Sequence, residues 1–246
     1  MINSIKYWWA DFKDNLRYDN SYRHKFIAGL CLVIVGITLL CTPLIKNHLV
    51  NSYQPKITKQ TIATNQKKPA KYDYASVKRL SLANIAKARA QAGNIQIIGE
   101  IAIPSNHIYL PIAKGINNIT LALTAGTFRP DMKMGQGNYA LAGHNMANHS
   151  KILFSPLYDY AKPGQKIYIT DLSHVYTYKM YQRQIIDPHD VSVVNNTKKP
   201  IITLVTCDET GSHRLMVRGK LVKKQNLKHA PKHIRKLFSQ HYTNRN

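Results

Sequence analysis

Residues 201–207 read Ile-Ile-Thr-Leu-Val-Thr-Cys, an apolar run in which five of the seven side chains are β-branched. Runs of this kind are typical of buried strands. Residues 208–211 are Asp-Glu-Thr-Gly, which predict a loop directly after Cys207. The other two cysteines lie in a long apolar segment near the N-terminus, so Cys207 has no partner for an intramolecular disulfide. An unpaired thiol between a strand and a loop is a candidate nucleophile.

Short β-rich runs separated by turn residues occupy most of the chain around this stretch. The predicted strands are Ile95–Ile103, His107–Ile112, Ile119–Leu123, Asn138–Gly143, Lys166–Thr170, Val175–Ile186, Ile201–Cys207 and Arg214–Val222. About eight short strands with turn signals between them predict a mainly β fold, a closed or nearly closed barrel. A helical pattern over residues 74–92 and a helical turn at Ser155–Tyr160 add short helices to it.

Residues 26–45 are 20 consecutive residues without a charged side chain. At about 1.5 Å per residue, a helix over them spans about 30 Å, the thickness of one hydrocarbon core. No small-residue cleavage site follows, which favours an uncleaved transmembrane signal anchor over a cleaved signal peptide. Five Lys and Arg residues in 6–25 against three in 46–65 favour a cytoplasmic segment 1–25 and an extracellular C-terminal domain.

The rest of the chain divides by composition into three parts. Residues 46–73 are polar with no sustained period and predict an extracellular stalk. Residues 74–222 hold the β-rich domain. The tail 223–246 is basic, with Ile234, Leu237 and Phe238 at helical spacing, and fits either a short amphipathic helix at a membrane or wall surface or a frayed, solvated end.

The chain is strongly basic, with 35 Lys and Arg against 12 Asp and Glu and a net charge of +23. Such a field attracts polyanions. For a domain outside the cytoplasm the expected polyanions are anionic lipid headgroups and wall polymers rather than nucleic acid. Because the charge is dispersed along the sequence, an ordinary solvated surface is the alternative.

Two residues are candidate partners for Cys207. His144 follows the strand-like run Tyr-Ala-Leu-Ala-Gly at 139–143, although spacing alone favours a structural histidine there. Arg214 begins the next predicted strand, and a hairpin would return it beside Cys207, although an exposed rim arginine fits as well. A fixed guanidinium beside a thiol would stabilise negative charge on a carbonyl oxygen. No paired Cys or His-Glu-x-x-His motif indicates a metal site.

Four stretches of the sequence resemble motifs of the sortases. Residues 203–207, Thr-Leu-Val-Thr-Cys, match the family's Thr-Leu-x-Thr-Cys signature, and residues 138–146 resemble the strand that carries its catalytic histidine. Arg214, in Arg-Leu-Met-Val-Arg-Gly, matches the catalytic arginine, and Ile-Ala-Ile-Pro at 101–104 resembles an early barrel strand. The similarity spans roughly residues 75–222 and is closest to class A, the housekeeping sortases, which also carry an N-terminal signal anchor.

The resemblance implies an eight-stranded sortase-type β-barrel and a membrane-anchored cysteine transpeptidase. Its substrates would be surface proteins with a Leu-Pro-x-Thr-Gly (LPXTG) signal, and its acceptor an amine of a lipid-linked peptidoglycan precursor. Cys207 would attack the Thr carbonyl and form a thioester. His144 would act as an imidazolium that stabilises the thiolate and exchanges protons, and Arg214 would hold the oxyanion. Thr206 would help shape the site or merely cap its strand.

Some departures from the family pattern limit what the resemblance implies. Certain class A members bind calcium through an acidic cluster before the histidine strand, but residues 115–136 contain only Asp131. We therefore expect no cofactor and no calcium requirement. Residues 181–200 are expected to hold the loop that recognises the Leu-Pro part of the signal. Neither a second membrane segment nor a lid is evident, which favours wall anchoring over pilus assembly.

Two alternatives remain at this point. A membrane-tethered cysteine peptidase would use the same three residues with water as the acceptor. A basic module that binds wall polymers would keep Cys207 buried and unreactive. Product analysis with and without an added amine separates the first from a transpeptidase, and thiol reactivity separates the second.

Overall fold

The computed structural model describes residues 2–146, 150–208, 210–239 and 242. The chain forms two compact units, one ending at Ile45 and the other beginning at Lys46. The first unit contains helix α1 (Ile2–Tyr18) and most of helix α2 (Asn20–Asn51). Within the described ranges, α2 is the one helix that is long and apolar enough to cross a membrane by length and composition. It contains the whole segment predicted as the anchor.

The second unit is built on a closed barrel. Its strands are β1 (Ile97–Ile103), β2 (Ile108–Ala113), β3 (Ala125–Thr127), β4 (Asn138–Ala142), β5 (Lys166–Thr170), β6 (His174–Ile186), β7 (Ile201–Cys207) and β8 (Arg214–Asn226). The order around the barrel is β1-β2-β3-β4-β7-β8-β6-β5. The pairs β2/β3 and β4/β7 are parallel, and the others are antiparallel. The predicted mainly β, eight-stranded barrel is confirmed.

The strand predicted at Ile119–Leu123 is wrong. These residues form helix α5 (Asn118–Leu123), and the strand that takes the expected place in the barrel is the short β3 after it. The side chain of Asn117 begins the helix by accepting hydrogen bonds from the backbone N–H groups of Ile119 and Thr120, both at 2.9 Å. The last four residues of α5 are buried, so the sequence shows no polar face to distinguish a helix from a strand.

The helix predicted over residues 74–92 is much shorter. Helix α4 covers Leu82–Ala90, and Ser81 caps it by accepting from the backbone N–H of Asn84. Residues 74–81 form a turn and irregular backbone instead. Ser81 is a preferred N-cap residue, so the true start was visible in the sequence.

The segment predicted as a stalk is also more ordered than expected. It contains helix α3 (Lys59–Lys67), which begins with a capping box formed by Thr58 and Thr61. Asn65 donates a hydrogen bond to the carbonyl oxygen of Ile97 at 3.0 Å, and Ile62 is buried. Residues 59–67 therefore pack on the barrel.

The helical turn predicted at Ser155–Tyr160 is present as helix α6 (Ser155–Tyr160).

The basic tail folds onto the barrel as far as it is described. Helix α7 (Lys232–Leu237) buries Ile234 in a cluster with Tyr168 and Ala102. Further on, the side chain of Gln54 donates to the carbonyl oxygen of Tyr242 at 2.8 Å and accepts from its N–H at 2.9 Å. The amphipathic helix is thus present, but its apolar side faces the chain's own barrel.

Candidate active site

The predicted site residues meet at one edge of the barrel. Cys207 is the last residue of β7 and is the direct antiparallel partner of Arg214, the first residue of β8. β4 runs parallel to β7, with Ala142 paired to Val205. His144 lies two residues beyond the end of β4, so it reaches the same edge. The sheet register therefore assembles three side chains that are up to 70 residues apart in the sequence.

A short network fixes the backbone around His144. The side chain of Asn145 donates to the carbonyl oxygen of Cys207 at 3.0 Å, which ties the histidine loop to the cysteine strand. The carbonyl oxygen of His144 accepts from the N–H of Phe154 at 3.0 Å. Gly143 allows this arrangement, because a Cβ there would lie 2.5 Å from the Phe154 ring. A side chain at position 143 would therefore displace the histidine loop.

His144 is buried, with 7% of its surface exposed. Burial lowers the pKa of its imidazole to about 4. Its Nε2 atom has no hydrogen-bond partner among the described residues. At neutral pH the side chain is therefore a neutral imidazole with a free nitrogen, which suits a general base better than the imidazolium expected from the resemblance.

The pKa of the Cys207 thiol is also shifted toward the neutral form of the group. Burial raises its pKa, and the nearby Arg214 guanidinium offsets part of that increase. Both shifts favour a neutral pair of thiol and imidazole in the free protein. A thiolate must then form as the proton moves to His144, with the positive charge of Arg214 stabilising the resulting anion.

Arg214 is held by three acceptors. Its Nε donates to the hydroxyl of Tyr74 at 2.8 Å, and its Nη1 donates to the carbonyl oxygens of Gly211 at 3.1 Å and His213 at 3.0 Å. Nη2 has no hydrogen-bond partner within the described ranges. The guanidinium is therefore fixed on one side and free to donate on the other.

Thr206 is 2% exposed, and its hydroxyl has no hydrogen-bond partner among the residues described. The alternative in which this hydroxyl merely caps the strand is therefore not supported. A buried hydroxyl without a partner costs roughly 1–3 kcal/mol and is unusual in a folded protein. Thr206 and His144 thus place two unpaired polar atoms at the same edge.

The loop between β7 and β8 is organised by Asp208. Its carboxylate accepts from the hydroxyl of Thr210 at 2.8 Å and from the N–H of His213 at 3.2 Å. The side chain of Arg79 reaches the carbonyl oxygen of Thr210 at 3.4 Å. These contacts hold the two carbonyl groups that orient Arg214.

Residues 181–200 were expected to hold the loop that recognises the signal. Residues 181–186 belong to β6, and the loop at 187–200 is fixed by a buried asparagine. The side chain of Asn138 donates to the carbonyl oxygens of Val193 at 3.0 Å and Asn195 at 2.9 Å, and accepts from the hydroxyl of Thr203 at 2.8 Å. Arg129 donates to the carbonyl oxygen of Val194 from the same side. The loop is therefore anchored at its middle, next to β4 and β7.

Sequence reasoning missed Tyr74 and the tether from Asn145. Tyr74 lies in the segment predicted as a helix, where an aromatic residue gives no functional signal. The role of Asn145 depends on the parallel pairing of β4 with β7, which no local pattern specifies. His149, five residues after His144 in the sequence, lies outside the described residues.

The described residues contain no group of three or more His, Cys, Asp or Glu side chains arranged to hold a metal ion. Asp131, the one acid in residues 115–136, forms an ion pair with Arg129 at 3.1 Å.

Comparison with known proteins identifies relatives over most of the chain. The family model for the sortase domain matches residues 101–222. Sortase A of Streptococcus agalactiae serotype III is 40% identical over 229 residues, which cover 89% of this chain and 92% of that protein. Sortase A of Listeria monocytogenes is 37% identical over 210 residues, or 82% and 94% of the two proteins. A solved structure of Listeria monocytogenes sortase A superimposes with a TM-score of 0.54 at 40% identity, covering 58% of this chain and 98% of that one.

Proposed function

The chain belongs to the sortase family of cysteine transpeptidases, class A, and we propose that it attaches LPXTG-bearing surface proteins to a lipid-linked peptidoglycan precursor through Cys207, His144 and Arg214. One observation carries the assignment of residues. Cys207 and Arg214 are direct partners on adjacent strands, and the histidine that follows the next strand reaches the same edge. The three residue types are those that acyl transfer through a thioester requires.

In the first half of the reaction, the Cys207 sulfur attacks the carbonyl carbon of the signal threonine while His144 takes the thiol proton. The carbonyl oxygen becomes an oxyanion, which the free Nη2 group of Arg214 stabilises by donating hydrogen bonds. His144 then gives its proton to the glycine nitrogen as the Thr–Gly bond breaks. The products of this half are a thioester on Cys207 and a peptide with a free amine.

In the second half, an amine of the peptidoglycan precursor attacks the thioester carbon, and His144 accepts a proton from that amine. The carbon–sulfur bond breaks, and the proton returns to the Cys207 sulfur. Because His144 is neutral between the two halves, it can act first as a base and then as an acid in each. The lowered pKa of His144 supports this order.

The proposed location is the cell membrane, with the N-terminal segment in the cytoplasm and the barrel outside the cell. Helix α2 supplies a span of suitable length and composition. The larger number of Lys and Arg residues before the span than after it supports the orientation. Both the precursor and the sorting signals would then be met at the outer face of the membrane.

Anionic wall polymers are a further proposed partner. Lys166, Lys179 and Lys220 are paired across the adjacent strands β5, β6 and β8, and all three are exposed. None of them makes an ion pair within the described ranges. Like charges at paired positions destabilise a sheet, so a row of three that spans about 10 Å favours a polyanion as its ligand.

We expect catalysis without calcium. The pairing of Asp131 with Arg129 supports this expectation, because the one acid at the position of the calcium cluster already has a partner. Chelation with EDTA should leave the rate unchanged, and addition of calcium should not raise it. A calcium-dependent increase would overturn the expectation without affecting the roles of the three site residues.

The decisive test of the proposed function is product analysis. The full chain in detergent would be incubated with a Leu-Pro-Gln-Thr-Gly peptide and triglycine as the amine, and the products identified by mass spectrometry. We expect a joined product, and none with the Cys207→Ala variant. Cleavage without joining would instead indicate a cysteine peptidase, and an unreactive thiol with no product would indicate a binding module.

A further inference from the structure

Residues 72–79 precede the barrel in the sequence but contact it beside the site. The N–H of Asp73 donates to the carbonyl oxygen of Ile116 at 3.0 Å. The side-chain oxygen of Asn118 accepts from the N–H of Lys78 at 2.8 Å, and its amide donates to the carbonyl oxygen of Ser76 at 3.1 Å. One backbone bond to Ile116 and two bonds with the Asn118 side chain thus hold this segment at both ends.

Tyr74 is the residue of this segment that reaches Arg214. Its hydroxyl accepts a hydrogen bond from Arg214 Nε at 2.8 Å, and its ring centroid lies 6.0 Å from the Arg214 Cζ. The other side of the site supplies Phe128, whose ring centroid is 5.2 Å from that of Tyr74. The phenol is therefore clamped between an aromatic ring and the guanidinium.

The donors of Arg214 explain what this contact can do. A guanidinium has five N–H groups in a rigid plane, so fixing three of them fixes the direction of the other two. Nε is held by Tyr74, and Nη1 is held by the carbonyl oxygens of Gly211 and His213. These two carbonyl groups belong to the loop that also connects Cys207 to Arg214. Among the residues that the structure describes, Tyr74 is the one acceptor that comes from outside this loop.

We propose that Tyr74 is a positioning residue of the transferase reaction, which aims the free Nη2 group of Arg214 at the oxyanion formed at Cys207. This inference rests on the role proposed above for Arg214. It extends the active site to a segment before residues 101–222, the part of the chain that matches the sortase domain. The neutral phenol stabilises the guanidinium without competing as a carboxylate would for the whole charge.

The test is the Tyr74→Phe variant of the full chain. Phenylalanine keeps the ring that packs on Phe128 and removes only the oxygen that accepts from Arg214. We expect kcat to fall roughly tenfold while KM changes less than twofold, because orientation in the transition state is lost rather than substrate binding. The thermal unfolding midpoint should stay within about 2 °C of the parent protein. A kcat within twofold of the parent value would overturn the inference.

A double-mutant cycle shows whether Tyr74 acts through Arg214. Arg214→Lys keeps a positive charge but lacks Nε and the planar fork. If Tyr74 only orients Arg214, then Tyr74→Phe has no further effect on kcat in the Arg214→Lys background. If the loss of kcat in the double variant equals the product of the two single losses, Tyr74 acts independently of Arg214 and the inference is overturned.

The control is Tyr109→Phe, a tyrosine on the outer surface of the barrel beside the tail cluster. Its kcat should match that of the parent protein. The two variants separate the role of Arg214 from that of Tyr74. If Arg214→Lys keeps full activity, both the proposed role of Arg214 and the positioning role of Tyr74 are wrong. An inactive Arg214→Lys variant beside a fully active Tyr74→Phe variant removes this inference alone.

Discussion

Two regions of this protein bury a titratable side chain and treat it in different ways. At the active edge, His144 is 7% exposed and its Nε2 has no partner among the described residues. On β1, Glu100 is 3% exposed and hydrogen-bonds to the Tyr242 side chain, whose backbone is in turn held by Gln54. We call Gln54, Glu100 and Tyr242 the tail clasp. Burial shifts the pKa of both groups toward the neutral form, since it lowers the pKa of His144 to about 4 and raises that of Glu100 to about 7.

The difference between the two regions separates a reactive site from a structural one. In the tail clasp the buried carboxyl group has a partner, so ordering the tail stabilises the fold. At the active edge the imidazole nitrogen of His144 and the hydroxyl of Thr206 have no partner among the described protein groups, so neither is used to hold the fold together. Changes at the active edge should therefore affect rate, and changes in the clasp should affect stability.

Among variants that keep some activity, the largest effect is expected for Arg214→Lys. Loss of the planar fork removes the Nη2 donor from the oxyanion, and kcat should fall on the order of 100-fold to 1,000-fold with KM nearly constant. Steady-state transpeptidation measures both constants. Arg235→Lys, in the exposed tail helix, is the matched control and should retain full activity. If kcat of Arg214→Lys stayed within threefold of the parent value, Arg214 would serve the stability of the fold, as the tail clasp does, and not the reaction.

Next in size are the pH effects on stability, which have opposite signs in the two regions. The folded pKa of His144 lies below its unfolded value, so its contribution to stability is present above pH 6.5 and is lost as pH falls through about 4. The folded pKa of Glu100 lies above its unfolded value, so its contribution is present below pH 4.5 and is lost as pH rises through about 7. Across the pH range between its folded and unfolded pKa values, each group changes the free energy of unfolding by roughly 3 kcal/mol.

Denaturant unfolding from pH 4 to 8 checks both signs. The His144→Gln variant should lose the dependence on the acidic side, and the Glu100→Gln variant should lose the dependence between pH 4.5 and 7. Glu100→Gln should also keep its transpeptidation rate, whereas His144→Gln should be inactive. Parallel pH curves for the parent protein and either variant would show that the group does not titrate as described.

A smaller effect is expected at the signal-binding loop. Asn138→Ala removes the donors to the carbonyl oxygens of Val193 and Asn195, which should loosen residues 187–200. We expect KM for the sorting peptide to rise roughly tenfold with kcat within threefold. Thr203→Val removes the bond from Thr203 to Asn138 and keeps those to the loop, so its KM should change less. An unchanged KM for Asn138→Ala would mean that the loop is ordered by other contacts.

The smallest effect concerns the lysine row. Replacing Lys166, Lys179 and Lys220 by glutamine should weaken binding to polyphosphate about threefold more than replacing Lys59, Lys87 and Lys133, at equal net charge. Fluorescence titration at low and high salt measures the difference. Equal losses for the two triple variants would indicate a general effect of charge. Binding to anionic vesicles in place of polyphosphate would assign the row to the membrane.

Much of the barrel was predictable because its strands are short β-branched runs between turn residues. β7 could be recognised from Ile201 to Cys207, and the edge position of the thiol followed from the loop after it. α5 could not be recognised, because the last four of its six residues are buried and the helix lacks the polar face that reveals its period. α3 was hidden by its polar composition, although Thr58 and Thr61 formed a capping signal.

The site was predictable only where a motif or a hairpin specified it. Cys207 and Arg214 are joined by a short connection, so the sequence alone could pair them. His144 depended on family resemblance, because parallel pairing with β7 has no local signature. Tyr74 and the tail clasp depend on contacts across 140 and 188 residues, which no pattern in the sequence encodes.

The most direct test of the account is to trap the acyl enzyme. The full chain would be mixed with a Leu-Pro-Gln-Thr-Gly peptide without an amine acceptor, quenched in acid, and mapped by mass spectrometry. We expect a Leu-Pro-Gln-Thr adduct on Cys207 that disappears when triglycine is added, and much slower adduct formation in Arg214→Lys. An adduct on another residue, or turnover in the Cys207→Ala variant, would contradict it.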